Sequence, residues 1–167
     1  MPTRLAKTAL AAAVGLFLLF VVFNNVTDYG SNYGFVYHVL AMDTTFPGNA
    51  GMWRAITSAP VHHAFYVSII MWEAVACALI FAGAWRLWRA RDAGAATFNR
   101  AKGLAVAGLA LNLLQWLVAF LTVGGEWFLM WQSQTWNGQE AAARMFMVVG
   151  VTLLFLNTRD EELAPVV

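Results

Sequence analysis

Four apolar segments, each long enough to cross a bilayer as a helix, constrain the fold of this chain more than any other feature. Crossing about 30 Å of hydrocarbon requires about 20 helical residues. The segments lie near residues 5–25, 61–85, 103–123 and 142–158. A length of 167 residues, of which 60% are hydrophobic and 11% charged, fits one compact membrane domain. We therefore predict an all-α membrane protein whose residues 1–167 form a single four-transmembrane-helix bundle with short interfacial helices in the outer loops.

The positions of lysine and arginine predict how this bundle is oriented. The N-terminus carries Arg4 and Lys7, and the connection 86–102 carries five further basic residues. The other two connections, 26–60 and 124–141, contain only Arg54. Because short loops rich in Lys and Arg stay on the cytoplasmic side, we expect both termini and the loop 86–102 to be cytoplasmic. The remaining two connections become outer loops, and we expect residues 159–162 to be a solvated tail.

The outer loops are unusually rich in aromatic residues. The helical spacing of Phe35, Val39 and Met42 predicts a short helix at the membrane surface. Residues 52–57 are apolar enough for another interfacial turn, and the aromatic residues of 125–138 suit the headgroup level. We expect residues 26–60 and 124–141 to form a cap, the name used below, over one end of the bundle.

A set of polar and aromatic residues in or beside the cap forms the candidate surface for a ligand or a protein partner. Its members are His38, Trp53, His62, His63, Tyr66, Glu126, Trp127, Trp131 and Trp136. His62 and Tyr66 share one face of the second apolar segment with Glu73. We expect the histidines to be bonded interfacial residues.

Glu73 interrupts the second apolar segment, which reads SIIMWEAVACALIF over residues 68–81. A charge at the bilayer centre is costly, so we expect this acid to be protonated and neutral. Counting residues from the middle of each segment places Asn112 and Gln115 at the same depth. We predict that one of these two amides bonds to Glu73 and fixes the register of the second helix against the third. The alternative is that Glu73 is a proton acceptor or a ligand-binding acid reached from the outer face.

Further polar residues of the third segment extend this expected intramembrane cluster. Asn112, Gln115, Ala119, Thr122 and Glu126 follow a spacing of three and four residues, which would place them on one helical face. We predict that this face points inward, and that the cluster consists of Glu73, Asn112, Gln115 and Thr122.

The sequence does not favour a metal, a haem or a catalytic site. Adjacent residues point about 100° apart on a helix, so His62 and His63 are poorly placed to bind one ion, and neither has a partner three or four residues away. We find no nucleophile with a nearby base and no nucleotide motif. A net charge of +1 without a basic polar face gives no indication of nucleic-acid binding. We predict a protein without catalytic residues, metal or cofactor.

Three stretches carry distinctive motifs: NNVTDYGSNYGFVYHVLAMDTTFPGNAGMWRAITS (24–58), TFNRAKGLAVAGL (97–109) and GGEWFLMWQSQTWNGQ (124–139). In them the chain resembles a bacterial family known as predicted small integral membrane proteins, a domain of unknown function. The likeness extends from the first apolar segment to the fourth. It implies a four-span protein of the bacterial cytoplasmic (inner) membrane, and it implies no established activity, substrate or catalytic residue.

Two functions remain open on this basis. The first is a non-catalytic accessory or assembly subunit of a larger inner-membrane complex, respiratory or transport, held by the lipid bilayer and by contacts of the aromatic cap. The second is the binding of a quinone or lipid beneath the cap, beside Glu73. A haem-binding component ranks last because the histidines are poorly placed to face each other. A transporter component ranks with it, because four spans with one intramembrane acid and no internal repeat make a poor pathway.

Overall fold

The computed structural model describes residues 1–163, which form helices and short connections without any strand. The α-helices are α1 (Pro2–Thr27), α2 (Tyr29–Ala41), α3 (Ala59–Ala90), α4 (Ala95–Ala101), α5 (Gly103–Leu114) and α6 (Gln139–Asn157). A π-helix, Gln115–Trp127, continues α5, and two short 3-10 helices span Ala50–Arg54 and Met130–Gln132. The prediction of an all-α membrane protein is confirmed.

In the part of the chain that the structure describes, four helical stretches are long and apolar enough to cross a bilayer. They are Pro2–Thr27, Ala59–Ala90, Ala95–Trp127 and Gln139–Asn157. Each predicted apolar segment lies within or nearly within one of them, and three of the four helices are longer than predicted at both ends. Hydropathy marks only the apolar part of a helix, whereas backbone hydrogen bonding continues into polar residues. The protein is thus a multi-pass integral membrane protein.

Helix α3 is the centre of the bundle and packs against both α1 and α5. Its Gly83 lies directly against the backbone of Ala105, where an added Cβ would clash. Gly108 of α5 also lies close to α3, since a Cβ there would come within 2.8 Å of the backbone nitrogen of Ile80. Small residues at these positions let the two backbones touch, which is how helices associate in lipid.

The cap is assembled from residues of 26–60 and 124–141, which meet at one end of the bundle. The hydroxyls of Thr44 and Ser133 lie 2.8 Å apart, and the backbone N–H of Phe46 donates to Oε1 of Gln132 at 3.1 Å. Side chains of α2 and of the segment after the π-helix form a buried apolar group above the main core. Tyr66 of α3 also belongs to this group, and its buried members are Val36, Val39, Leu40, Met42, Tyr66, Phe128 and Met130.

A buried ionic cluster, which we call the clasp, closes the opposite end and consists of Lys7, Lys102 and Asp160. Both lysine ammonium groups lie 2.6 Å from Oδ2 of Asp160. Burial raises the pKa of Asp160, but the hydrogen bonds from the two lysines outweigh burial and hold that pKa below its ordinary value of 3.8. The expectation that residues 159–162 are a solvated tail is therefore wrong for Asp160, and Glu162 also accepts a bond from the backbone N–H of Ala95 at 2.9 Å.

Candidate functional site

Glu73 accepts a hydrogen bond on each oxygen of its carboxyl group. The side-chain amide of Gln115 donates to Oε1 at 3.1 Å, and the side-chain amide of Asn25 donates to Oε2 at 2.7 Å. Glu73 is only 2% exposed and Gln115 is fully buried. The acid of α3 is thus joined to α1 on one side and to the start of the π-helix on the other.

Gln115 is one of the two partners that residue counting indicates for Glu73, whereas Asn25 is not indicated by that count. The count assumes that the middles of all helices lie at one depth, which would put Gly15 beside Glu73. In the structure Gly15 lies beside Cys77, whose thiol is 3.4 Å from its carbonyl oxygen, and the end of α1 lies level with Glu73. In the sequence, the pair of polar residues Asn24 and Asn25 at the end of the first apolar segment indicates that a polar contact could form there.

Tyr66 extends this polar group toward the cap. Its hydroxyl donates to the backbone carbonyl of Asn25 at 3.1 Å and lies 3.3 Å from the side-chain oxygen of the same residue. Occupation of that oxygen leaves the amide nitrogen of Asn25 facing Glu73. A continuous chain of buried groups therefore connects Tyr66, Asn25, Glu73 and Gln115, and we call it the polar chain.

Asn112 and Thr122 do not join the polar chain. The side-chain oxygen of Asn112 accepts a bond from the indole of Trp116 at 3.4 Å, and its amide nitrogen has no partner among residues 1–163. Thr122 is exposed and donates to the carbonyl of Leu117, five residues earlier, at 2.9 Å. The prediction that Thr122 lies on the inward face with Gln115 is wrong, because the π-helix has wider turns than the α-helix on which the spacing argument rests.

A cavity of about 480 Å³ lies beside the polar chain, between α1, α2, α3 and the π-helix. Its volume falls within the range of small-molecule sites. Asn25, Tyr66 and Glu73 contribute to its wall, and most of the remaining lining is apolar or aromatic, including Val36, Ile69, Trp72, Trp116, Phe120 and Phe128. The cavity thus combines an apolar wall with one buried acid.

His62 and His63 have separate structural partners at the start of α3. Nε2 of His62 lies 2.8 Å from the carbonyl oxygen of Ile56 and so holds the end of the cap loop. Nδ1 of His63 lies 2.8 Å from the hydroxyl of Tyr29, and its ring stacks on Tyr33 at a centroid distance of 4.3 Å. The two rings therefore contact different parts of the cap: His62 contacts the loop at Ile56, and His63 contacts the start of α2.

His38 lies elsewhere in the cap. Nδ1 of its ring is 2.8 Å from a carboxylate oxygen of Asp43, and the ring stacks on Trp136 at 4.5 Å between centroids. Within residues 1–163, no group of three or more His, Cys, Asp or Glu side chains has a geometry that could hold a metal ion.

The other candidate residues of the cap lie on its surface and do not line the cavity. Trp53 is 74% exposed and Trp127 is 50% exposed, with the guanidinium of Arg54 at 5.5 Å and 5.3 Å from their ring centroids. Trp131 is 44% exposed and contacts Phe46 edge to face. The side chain of Glu126 is also exposed, and its backbone carbonyl accepts a hydrogen bond from the guanidinium of Arg54 at 3.4 Å.

Comparison with known proteins identifies a family. A family model described as "Predicted small integral membrane protein (DUF2165)" matches residues 3–159. No curated protein and no solved structure gives a match. The matched range runs from the first spanning helix to the last, so the resemblance found in the three sequence stretches is confirmed. The chain therefore belongs to the family of predicted small integral membrane proteins.

Proposed function

We propose that this protein binds a small amphiphile, a quinone or a lipid, in the cavity beside Glu73. The observation that carries the proposal is the combination of a cavity of about 480 Å³, an apolar wall and one buried carboxyl group. An apolar wall suits a hydrocarbon ring or tail, and a few fixed polar groups orient such a ligand.

The fixed position of the acid supports this proposal. Asn25 and Gln115 hold the two carboxyl oxygens from different helices, and the indole of Trp72 is held by the carbonyl of Leu111 at 2.9 Å. Groups that are already held in place lose little entropy when a ligand binds. The cavity is therefore preorganised on its polar side.

Copurification with a matched pair of variants tests this function. Ala119 lines the cavity, so Ala119→Trp should fill part of it, whereas Ala107→Trp places the same side chain at an exposed position of α5 outside the lining. After purification in a mild detergent, extraction and mass spectrometry should find an amphiphile bound to the native protein and to Ala107→Trp. We expect it to be lost from Ala119→Trp. Retention by a folded Ala119→Trp protein would overturn the proposal.

A second candidate function is that of an accessory or assembly subunit in a larger inner-membrane complex. The exposed pair Trp53 and Trp127 around Arg54 favours it, because aromatic residues and arginine are enriched at protein interfaces. Under this hypothesis the native protein migrates with a larger complex in mild detergent, and Trp53→Ser with Trp127→Ser releases it. Trp85→Ser changes an exposed tryptophan outside the cap and serves as the control.

We also propose that the protein resides in the bacterial cytoplasmic membrane with both termini in the cytoplasm. Support comes from the distribution of charge, because Arg86, Arg89, Arg91 and Arg100 lie at the end that also contains the clasp, whereas the cap has Arg54 alone. This bias matches the rule that short basic loops remain inside.

A further inference from the structure

We infer that the amphiphile bound beside Glu73 has a hydrogen-bond-donating headgroup, a hydroxyl, and that the site rejects anionic headgroups. This inference rests on the proposed binding function and specifies the class of ligand. It follows from which polar groups of the cavity wall already have partners and which retain bonding capacity.

The donors in the cavity wall are largely engaged within the protein. The hydroxyl of Ser68 donates to the carbonyl of Phe65 at 2.7 Å, and the hydroxyl of Tyr66 donates to Asn25. The indoles of Trp72 and Trp116 also have acceptors, the carbonyl of Leu111 and the side-chain oxygen of Asn112. A ligand whose headgroup only accepts hydrogen bonds would therefore find few free donors besides the O–H of a protonated Glu73.

The carboxyl group of Glu73 can accept further hydrogen bonds. Each carboxyl oxygen of Glu73 accepts one bond from an amide, while a carboxylate offers about four lone-pair positions. The protonated acid keeps acceptor capacity on its carbonyl oxygen, and its O–H can donate to the oxygen of the same ligand hydroxyl. The carboxyl group of Glu73 thus offers an acceptor at the cavity wall that a ligand hydroxyl satisfies.

The lining of the cavity makes the binding of an anionic headgroup unfavourable. Within residues 1–163, no lysine or arginine lines the cavity, and the side chains of Asn25 and Gln115 that donate to Glu73 are neutral amides. A fatty-acid carboxylate or a lipid phosphate placed here would be buried without a cation and next to an acid, which is strongly unfavourable in a membrane interior. A neutral hydroxyl avoids this cost.

Two probes that differ only in the donor test this inference. Para-nonylphenol and para-nonylanisole have the same ring and tail, and the second replaces the hydroxyl by a methyl ether. We expect purified protein in a mild detergent to bind radiolabelled nonylphenol at least about tenfold more tightly than nonylanisole, since a hydrogen bond to a charged or buried acceptor has about that effect. Dodecanoate should fail to displace the phenol.

A pair of variants assigns the preference to the acid. Glu73→Leu removes the acceptors and should reduce the preference for the phenol to about twofold or less, whereas Glu126→Leu makes the same change at an exposed cap position and should preserve it. If Glu73→Leu does not fold, the comparison of the two probes on the native protein still decides the question.

The outcomes separate this inference from the function on which it rests. Equal binding of phenol and ether, or effective competition by dodecanoate, would overturn the headgroup assignment while leaving amphiphile binding intact. Absence of binding by either probe, together with no copurifying amphiphile, would overturn the proposed function itself. A preference for the phenol that survives in Glu73→Leu would overturn the assignment to Glu73.

Discussion

The side-chain nitrogen of Asn25 lies 2.7 Å from Oε2 of Glu73, which joins the end of α1 to the middle of α3 across the wall of the cavity. With the bond from Gln115, this contact makes Glu73 the meeting point of three helical elements. The same carboxyl group therefore stabilises the bundle and forms the polar side of the proposed binding site.

Two substitutions of Glu73 should separate the contribution of side-chain shape to stability from that of hydrogen bonding. Glu73→Leu leaves the amide donors of Asn25 and Gln115 without an acceptor, and we expect it to lower the free energy of unfolding by about 1–2 kcal/mol. Glu73→Gln keeps the shape and one acceptor oxygen, so we expect a smaller loss and near-normal abundance. Denaturation in mixed micelles measures both. Equal stability of the leucine variant and the native protein would contradict this role.

Tyr66 and Asn25 should be energetically coupled. Tyr66→Phe removes the hydroxyl that bonds to Asn25, and Asn25→Ala removes the amide that bonds to Glu73. Because both changes affect one connected polar group, we expect the double variant to differ from the sum of the single ones by about 0.5 kcal/mol or more. Thermal denaturation of the four proteins measures this coupling, and strict additivity would show that the polar chain does not act as a unit.

The contact between α3 and α5 should tolerate no added methyl group. Gly83→Ala would force a Cβ into the backbone of Ala105, and we expect a loss of about 1–3 kcal/mol or failure to fold. Gly103→Ala is the matched control, because a Cβ there meets nothing within 4 Å. We expect that control to change stability by less than about 1 kcal/mol, in the stabilising direction. Comparable melting temperatures for the two variants would argue against the close packing.

The clasp should make stability depend on acidic pH. The pKa of Asp160 is lowered in the folded protein, so its contribution is complete above its ordinary pKa of 3.8 and is lost as the pH falls through the lower folded value. We expect Asp160→Asn to cost about 3 kcal/mol at neutral pH, because it leaves Lys7 and Lys102 buried without an anion. The difference in stability between native and variant protein should shrink below about pH 3.8. A difference that stays constant on acidification would exclude this linkage.

Labelling of single cysteines should report the orientation. Cys77 is the only cysteine and is buried, so Cys77→Ala provides the background. We expect a membrane-impermeant maleimide to label Gln134→Cys in intact cells and to label Arg89→Cys only after permeabilisation, since both positions are exposed at opposite ends of the bundle. Labelling of both positions in intact cells would contradict the proposed topology.

The spanning helices are predictable from sequence because their signal is local. An apolar segment of sufficient length crosses the bilayer whatever its neighbours do, and the four such segments lie where the long helices are found. The pairing of Gln115 with Glu73 follows from the same kind of count, because α3 and the helix that carries Gln115 are neighbours in sequence and in space.

The remaining features depend on tertiary relationships that a local pattern does not contain. Asn25 reaches Glu73 because the end of α1 lies level with the middle of α3, a relative height set by packing. The π-helix beginning at Gln115 turns Thr122 outward, and apolar periodicity at α-helical spacing cannot reveal that change. In the sequence, Asp160 is one of four consecutive charged residues, which is typical of a solvated segment. Only the tertiary fold places Lys7 and Lys102 beside it.

The clasp also has a consequence for biogenesis. Lys7 enters the membrane region among the first residues to be synthesised, whereas Asp160 follows 153 positions later. The clasp therefore cannot form during translation until Asp160 has been added to the chain. Chains that stop before Asp160 would keep Lys7 and Lys102 without their anion at this end of the bundle, and we expect them to be less stable than chains that contain Asp160.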